Sequence, residues 1–486
     1  MKGYTGNTIR NIALVGHGGC GKTTLLEAAL LATGVINRMG RVEDGNTVSD
    51  WDKMEIEKGY SISTSLVPVE FNKVKLNFVD TPGFFDFVGE MTSSMRAVEA
   101  AAIMVDASAG IEVGTEKAWN ACKQFDVPKF FLINKIDKDN VDVDKVIADL
   151  KAKFGTSVVT LDDKDALTEA IAETDEELME KFFSGEAFTD AEFNEGLSKG
   201  IGAGEIVPVL TCSAIAGTNI KETLQQLIDL TPKPTAHAPY AAVDGSGKAI
   251  EVPCDPNGHT AVLIFKTVAD QVLGKISFAK IISGKIKAGQ EIFNATNEKT
   301  EKLGTIFFLR GKHRTDADAA EAGDIIAIGK LQNTATGDTL CEKGSVIKFP
   351  PIAFPNPTFY IAVETRSKGD EDKVGTGLHR LMEEDPSFVL ETTTETHQTL
   401  VGGLGAQQLK VIVAKLKDKF GVDVDRVEQK IAYRETIRGN SDVQGKHKKQ
   451  SGGAGQYGDV HVRFSPSTEE FEFKESLFGG SIPKNY

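Results

Sequence analysis

The stretch Gly16-His17-Gly18-Gly19-Cys20-Gly21-Lys22-Thr23 has the form G-x-x-x-x-G-K-[ST], and it lies between an apolar run, Asn11 to Val15, and a segment of helical composition, Thr24 to Ala32. Strand, loop and helix in that order are what a phosphate-binding loop requires, so the N-terminal part is constrained to an α/β nucleotide fold. Glycines permit torsions that aim successive backbone N–H groups inward, and the helix N-terminus adds partial positive charge. Lys22 can then reach the β- and γ-phosphates, and the Thr23 hydroxyl can ligate Mg²⁺. Residues Gly16 to Thr24 are therefore expected to hold a nucleoside triphosphate.

Two strand-like stretches follow, Ser61 to Val67 and Val74 to Val79, and the second ends in Asp80-Thr81-Pro82-Gly83. D-x-x-G alone is a weak signal. At a strand end after a phosphate loop it gains meaning, because Asp80 can hold Mg²⁺ through water and the Gly83 N–H can meet the γ-phosphate. Ala101 to Val105 and Lys129 to Ile133 read as buried parallel strands, the second running into Asn134-Lys135-Ile136-Asp137. The Asp137 carboxylate can accept two hydrogen bonds from N1–H and the exocyclic amine of guanine, a pair of donors that adenine lacks. A further apolar run, Ile206 to Leu210, leads into Ser213-Ala214, a loop able to offer an N–H to the base carbonyl. Four such elements in order, each at the C-terminal end of a strand, predict a guanine-nucleotide domain with GTP or GDP and Mg²⁺ as ligands.

At 486 residues the chain has room for about three domains. No apolar run approaches the roughly 20 residues that span a bilayer, and Met1 to Arg10 lacks the apolar stretch of a signal peptide, so a cytoplasmic protein without membrane contact is expected. The five cysteines are far apart and lack metal-ligand spacing, which reads as reduced thiols. The net charge of −15 argues against DNA and against general nucleic-acid binding. Leu161 to Gly200 holds 13 acidic and 3 basic residues, so most of the excess sits in one segment. The rest is near balance and leaves Lys446-His447-Lys448-Lys449 as a local basic site. A monomer is expected.

The 75 residues between Asp137 and Ser213 exceed what one helix and one strand need, and residues 141–205 read as an acidic helical insert. Residues 236–258, rich in Pro, Gly and Ala, read as a linker. From 259 to 352, short alternating strands separated by glycine turns predict a β-barrel. Leu381 to Pro386 and Val411 to Leu416 carry apolar positions at helical spacing, which predicts two helices on a small sheet within residues 355–430.

Taken together, these motifs resemble the translational GTPases, and among them elongation factor G. Arg41 to Gly45, Asp50-Trp51 and Glu57-Lys58-Gly59 are similar to the family's first switch region, and Asp80 to Gly83 with Asp86-Phe87 to its second. The second domain is similar at Gly274-Lys275, Ala322-Gly323-Asp324 and Thr334 to Leu340. The resemblance implies a P-loop GTPase domain (1–235) with a helical insert, a β-barrel domain (259–352), a ferredoxin-like α+β domain (355–430) and the start of an α+β fourth domain (431–486). Because the chain stops at Ile482 to Tyr486, inside that fourth domain, a fragment is expected, with full translocation activity lost. The resemblance further implies GTP hydrolysis, Mg²⁺ held by Thr23, Ser61 and Asp80, and the ribosome as partner through its RNA and proteins. It assigns the insert to a ribosomal stalk protein, against which stands a plain solvated acidic face. It also assigns the stretch from Tyr433-Arg434-Glu435 to Ser451 through Gly458 to a tip loop near RNA, against which stands a solvated hairpin.

Departures from the family pattern gather at the position of the attacking water. Phe84 stands where the family has histidine, Gly59-Tyr60-Ser61 where it has Gly-Ile-Thr, and Gly18 and Gly19 where it has an aliphatic residue and an aspartate. A phenyl ring cannot orient water, so nucleotide binding with weak hydrolysis is expected, leaving Lys22, Gly83 and the Tyr60 hydroxyl as the groups able to act there. In the third domain Gly405-Ala406-Gln407-Gln408-Leu409 departs from the family's G-E-L-H-L, which removes any contact made by that glutamate and histidine. Two other readings stay open: a non-hydrolysing GTP-dependent binding module, and a tetracycline-resistance or release-factor type of ribosomal GTPase.

Overall fold

Seven apolar runs become the strands of one sheet: β1 (Ile9–Gly16), β2 (Ser65–Phe71), β3 (Val74–Asp80), β4 (Ala100–Asp106), β5 (Lys129–Asn134), β6 (Val158–Thr160) and β7 (Val207–Thr211). Their order is β2-β3-β1-β4-β5-β7-β6, parallel throughout except for the β2–β3 pair. Central strands are apolar on both faces because helices cover both. Ala13 and Val15 of β1 point to one core with Trp119 and Phe131, and Ile12 and Leu14 to the other with Leu26 and Phe130. The structure is a computed structural model and describes residues 3–270, 274–367, 369–433, 435–450, 453, 455–469, 471–477 and 479.

The helices of this domain are α1 (Lys22–Ala32), α2 (Lys53–Lys58), α3 (Val88–Met95), α4 (Val113–Gln124), α5 (Val143–Phe154), α6 (Lys164–Ala172), α7 (Glu176–Ser184), α8 (Asp190–Gly202) and α9 (Ile220–Leu230). Helices α6 to α8 form the acidic insert between β6 and β7. Part of its acidity serves the helices themselves: Asp163 and Asp175 cap α6 and α7 by accepting from Ala166 N and Glu177 N. Lys181 pairs with Glu192, and Lys199 with Asp175 at 2.8 Å. The strand read from Ser61 begins only at Ser65. The Ile62 and Ser63 N–H groups bond Glu55 Oε1, and the Thr64 N–H bonds Glu90 Oε2, so these amides are unavailable to a ladder.

Residues 236–258 are not a bare linker. Strands Tyr240–Asp244 and Ala249–Val252 pair as a hairpin and join Ile347–Lys348 in a three-stranded sheet. Its turn is held by Asp244 Oδ1, which accepts from Ser246 N and Lys248 N, with Gly247 at φ +84. Glycine and proline mark a tight turn as readily as a linker.

The second domain is an eight-stranded antiparallel sheet around a core of Val262, Ile264, Ala279, Ile281, Ile326 and Ile328. Its other face, with Phe265, Phe278 and Phe307, joins the core of the first domain. Buried ion pairs cross the same boundary: Lys75 to Asp324 at 2.7 Å, Glu90 to Lys266 at 2.5 Å, and Glu99 to Lys280 at 2.6 Å.

The third domain is a four-stranded antiparallel sheet in the order Val389–Thr392, Thr399–Gly403, Phe359–Thr365, Val424–Val427. Helices α10 (Glu371–Glu384) and α11 (Ala406–Phe420) bury Leu378, Leu381, Leu409, Ile412 and Leu416 in its core, a ferredoxin-like arrangement.

Thr394–His397 and the described residues from Lys430 onward belong to a separate unit, whose hairpin pairs Ser441–Lys449 with Gln456–Phe464. Lys446, His447, Lys448 and Lys449 lie on its first strand and are exposed. Arg434, Ser451, Gly452, Ala454 and residues 481–486, which the sequence reading used, lie outside the described residues. Among the described residues no helix is long and apolar enough to cross a membrane.

Candidate active site

β1 ends in Gly16 at φ +137, where a Cβ would lie 2.6 Å from the Met104 carbonyl oxygen, so the strand can enter the loop only through glycine. Gly21, at φ +98, is the residue before α1. Lys22 is buried, and its Nζ folds back to donate to Gly16 O and His17 O, both at 3.0 Å. Gly83 is brought against the same loop: a Cβ there would lie 2.6 Å from Lys22 Nζ and 2.7 Å from Gly18 N. Thr24 continues α1 half-buried, and Cys20 is buried beneath the loop. The His17 imidazole turns away to the start of α4, where Nε2 lies 3.5 Å from Glu112 Oε1, so His17 serves the loop through its main chain.

The three oxygen ligands expected for a metal do converge. Thr23 Oγ1 donates to Asp80 Oδ2 at 3.0 Å and lies 3.4 Å from Ser61 Oγ. Asp50, which sequence reasoning did not select, joins them, its carboxylate close enough to Ser61 and Thr23 for both to favour its charged form. Glu27 of α1 pins the segment that carries Asp50, accepting from Gly40 N at 2.7 Å and Val48 N at 2.6 Å. Asp50 Oδ2 and Asp80 Oδ1 are buried without partners. Burial, then the charge of Asp50, pushes Asp80 up to about 7, and burial likewise raises Asp50. Orphaned carboxylate oxygens beside two hydroxyls and a lysine make an all-oxygen donor set that fits Mg²⁺, an ion usually held by one or two carboxylates plus phosphate oxygens and water. Among the described residues no cluster of three His, Cys, Asp or Glu forms a metal cage. Thr23, Ser61, Asp50 and Asp80 would hold the ion, which would supply positive charge against that of the phosphates.

At the base end, Asn134 ties three segments together. Its Nδ2 donates to Cys20 O at 3.0 Å, and its Oδ1 accepts from Ala214 N at 3.0 Å. Asp137 accepts from the Ser213 hydroxyl, which fixes the carboxylate at the loop edge. Lys135 Nζ donates to Gly19 O at 2.7 Å. The four sequence motifs thus meet at one end of the sheet.

Over the phosphate loop lie two aromatic rings. Phe84 and Tyr60 lie against one another with centroids 4.3 Å apart and planes tilted by 43°, and a Cβ at Gly18 would touch the Phe84 ring at 3.4 Å. A Cβ at 18 would thus meet the ring in ordinary van der Waals contact, so Gly18, Phe84 and Tyr60 lie together.

Family models match nearly the whole chain: Elongation factor Tu GTP binding domain at residues 7–233, Elongation factor G domain 2 at 259–343, Elongation Factor G domain III at 354–428, and Elongation factor G domain IV at 429–486. The "Elongation factor G-like protein" of Thermotoga maritima is 35% identical over 98% of this chain and 75% of its own length. The chain belongs to the elongation factor G family of translational GTPases. Elongation factor G of Ureaplasma parvum serovar 3 is 32% identical, over 98% of this chain and 76% of its own. A crystal structure from Thermus thermophilus superposes with a TM-score of 0.84 at 29% identity, covering 99% of this chain and 76% of that one. Against the elongation factor G pattern, the changes at Gly18, Tyr60 and Phe84 form one contacting group rather than three scattered ones. Two site residues had gone unread, Asp50 and Asp106. Asp50 carried only the signal of a lone acid inside a switch-like segment, and Asp106 that of an acid closing a buried strand, the place where α/β sheets put ligand residues.

Proposed function

We propose that this chain is a guanine-nucleotide-binding factor of the elongation factor G type that works on cytoplasmic ribosomes and hydrolyses GTP slowly. In this reading the domains run 1–235, 259–352, 355–430 and from 431 onward. Gly16 to Thr24 and Gly83 hold the phosphates, Thr23, Ser61, Asp50 and Asp80 hold Mg²⁺, and Asn134, Lys135, Asp137, Ser213 and Ala214 hold guanine. The acidic insert and the basic hairpin are the surfaces offered to a ribosomal stalk protein and to RNA.

One observation carries the hydrolysis reading: the Phe84 ring, which has neither donor nor acceptor, lies against Tyr60 and Gly18 at the mouth of the phosphate loop. Phosphoryl transfer to water depends on positioning and electrostatics, and a ring of this kind supplies neither. Single-turnover GTP hydrolysis with ribosomes, comparing the native chain with Phe84→His, tests it. The histidine variant is expected to be faster by about a hundredfold or more, the low end of what a positioned proton-transfer group contributes. Equal rates reject the reading. A native chain that binds GTP but shows no turnover even with ribosomes would mark a GTP-dependent binding module.

The contact of Tyr60 with Phe84 favours a second point, that the Tyr60 hydroxyl replaces the missing imidazole. Tyr60→Phe should then abolish the residual rate, and an unchanged rate removes the hydroxyl from the site.

A further inference from the structure

Asp106 closes β4 directly opposite Asn134 in the parallel register with β5, so its side chain leaves the sheet at the same edge as the Asn134-Lys135-Ile136-Asp137 loop. It is only 8% exposed. Its Oδ2 accepts from Lys135 Nζ at 2.6 Å, and its Oδ1 accepts from Ser108 N at 2.9 Å and Ser108 Oγ at 2.6 Å. Lys138 Nζ lies 3.5 Å from Asp106 and donates to Ser108 Oγ at 2.8 Å. Burial pulls the Asp106 carboxyl upward, but the bonds from Lys135 and Ser108 outweigh it and hold the group at about 2, fully charged at neutral pH.

The other end of this strap is the phosphate loop. Lys135 Nζ donates to Gly19 O at 2.7 Å, and Lys135 itself sits at φ +66, a backbone region that is costly for a residue with a Cβ. Gly19 is at φ +85 beside a second glycine, Gly18, so this turn has no side chains of its own to stiffen it. The lysine therefore bridges a fixed carboxylate to the least constrained part of the loop.

We propose that Asp106 is a positioning residue that fixes Lys135 across Gly19 and thereby sets how long a nucleotide stays bound. This rests on the guanine-nucleotide reading above. Because the strap grips the loop shared by both nucleotides, and Asp106 reaches the base only through Lys135, it lengthens the residence of diphosphate and triphosphate alike. Purine choice stays with Asp137. A charge-assisted bond is about twice as strong as a neutral one, so an uncharged isostere keeps the shape of the strap and loses much of its hold.

The experiment measures release of fluorescent GDP and GTP analogues from the full chain with Mg²⁺ present, for the native protein, Asp106→Asn and Ser108→Ala. Asp106→Asn is expected to release both nucleotides about tenfold faster, equivalent to ~1.4 kcal/mol, with the preference for GTP over ATP unchanged. Its nucleotide-free melting temperature falls too, because a depressed carboxyl stabilises the fold at neutral pH, so the deciding readout is the rise in melting temperature on adding GDP, which should shrink. Ser108→Ala, which loosens the carboxylate without removing its charge, accelerates release less. Native release rates in Asp106→Asn overturn the proposal, as does a GDP-induced rise in melting temperature equal to that of the native chain, the mark of a packing role that does not reach the nucleotide. A native chain that binds neither GDP nor GTP refutes the guanine-nucleotide reading itself, and this proposal with it.

Discussion

Asp86 Oδ2 accepts the backbone N–H of Gln407 at 2.7 Å, across 321 positions of sequence. The acid follows Asp80-Thr81-Pro82-Gly83, and the amide opens α11 of the third domain, so an element packed against the Gly16–Thr23 loop caps a helix in another domain. Gln408 N adds a second contact at 3.3 Å. A Cβ at Gly405 would lie 2.4 Å from Asp86 Oδ2, so only glycine lets the two approach. Phe87, the next residue, packs with Met54, Ile62 and Val411, and both switch-like segments thus rest on α11. Changing G-E-L-H-L to Gly405-Ala406-Gln407-Gln408-Leu409 does not touch this junction, because main-chain amides make it. The Gln408 side chain meanwhile bonds Asp385 and Ser387 on its own account.

Asp86→Ala should remove an anionic cap from α11, at a cost of about 1 kcal/mol. Hydrogen exchange at Gln407, Gln408 and Leu409 is expected to speed up while the middle of α11 keeps its protection. Asp86→Asn, which keeps an acceptor and loses the charge, should fall between the two. Unchanged exchange at Gln407 in Asp86→Ala would show that packing by Phe87 alone holds the helix start.

Glu99 and Lys280 are fully buried and 2.6 Å apart at the boundary of the first two domains, where Glu99 also accepts from Asn11 Nδ2 at 2.6 Å. Removing one partner leaves the other charge buried and alone, so Glu99→Gln and Lys280→Met should each destabilise by about 3–5 kcal/mol. The double variant should cost less than the sum, because neither charge is then stranded. Urea unfolding of the four proteins checks this, and additive losses would show that the pair does not couple.

The phosphate loop, D-T-P-G, N-K-x-D and Ser213-Ala214 were legible because each is a local pattern whose spacing carries its chemistry. Asp106 was not, since its role depends on β4 lying beside β5 with Asp106 level with Asn134. Asp50 was hidden for a related reason: it acquires meaning only when Glu27 folds its irregular segment over Thr23. The barrel and the two third-domain helices followed from alternation and helical spacing. Residues 236–258 misled because turn residues punctuate a hairpin and a linker alike.

Glu384 sits at the end of α10 with Lys419 at 2.6 Å and Lys415 at 3.5 Å. Burial pushes its carboxyl up, yet the two lysines prevail and hold it below its ordinary value of 4.5. A depressed acid stabilises the fold above its unfolded pKa and loses that contribution as pH falls through the folded one. Glu384→Gln should therefore be less stable than the native chain by about 3 kcal/mol at pH 7, with the gap narrowing once pH drops below about 4.5. Thermal unfolding of both proteins from pH 7 to pH 4 reads this directly, and a constant gap would mean that Glu384 acts by shape rather than by charge.

Asp50 and Asp80 place two buried carboxylates around Thr23 and Ser61, each with an oxygen that has no partner. Without nucleotide and metal these acids repel one another and raise the energy of the folded state, so Asp50→Asn should stabilise the free protein by about 1 kcal/mol, the order of one pKa unit. With Mg²⁺ and GDP present the sign reverses, because the substitution removes an acceptor that the ion and its waters would use. Asp50→Asn is thus expected to melt above the native chain in chelator without nucleotide, and to gain less when Mg²⁺ and GDP are added together. Adding GDP alone in chelator should narrow the difference, since the metal mediates it. Should Asp50→Asn instead melt lower in chelator, the place of Asp50 beside Ser61 and Thr23 would be structural, and the metal would be left to Thr23, Ser61 and Asp80.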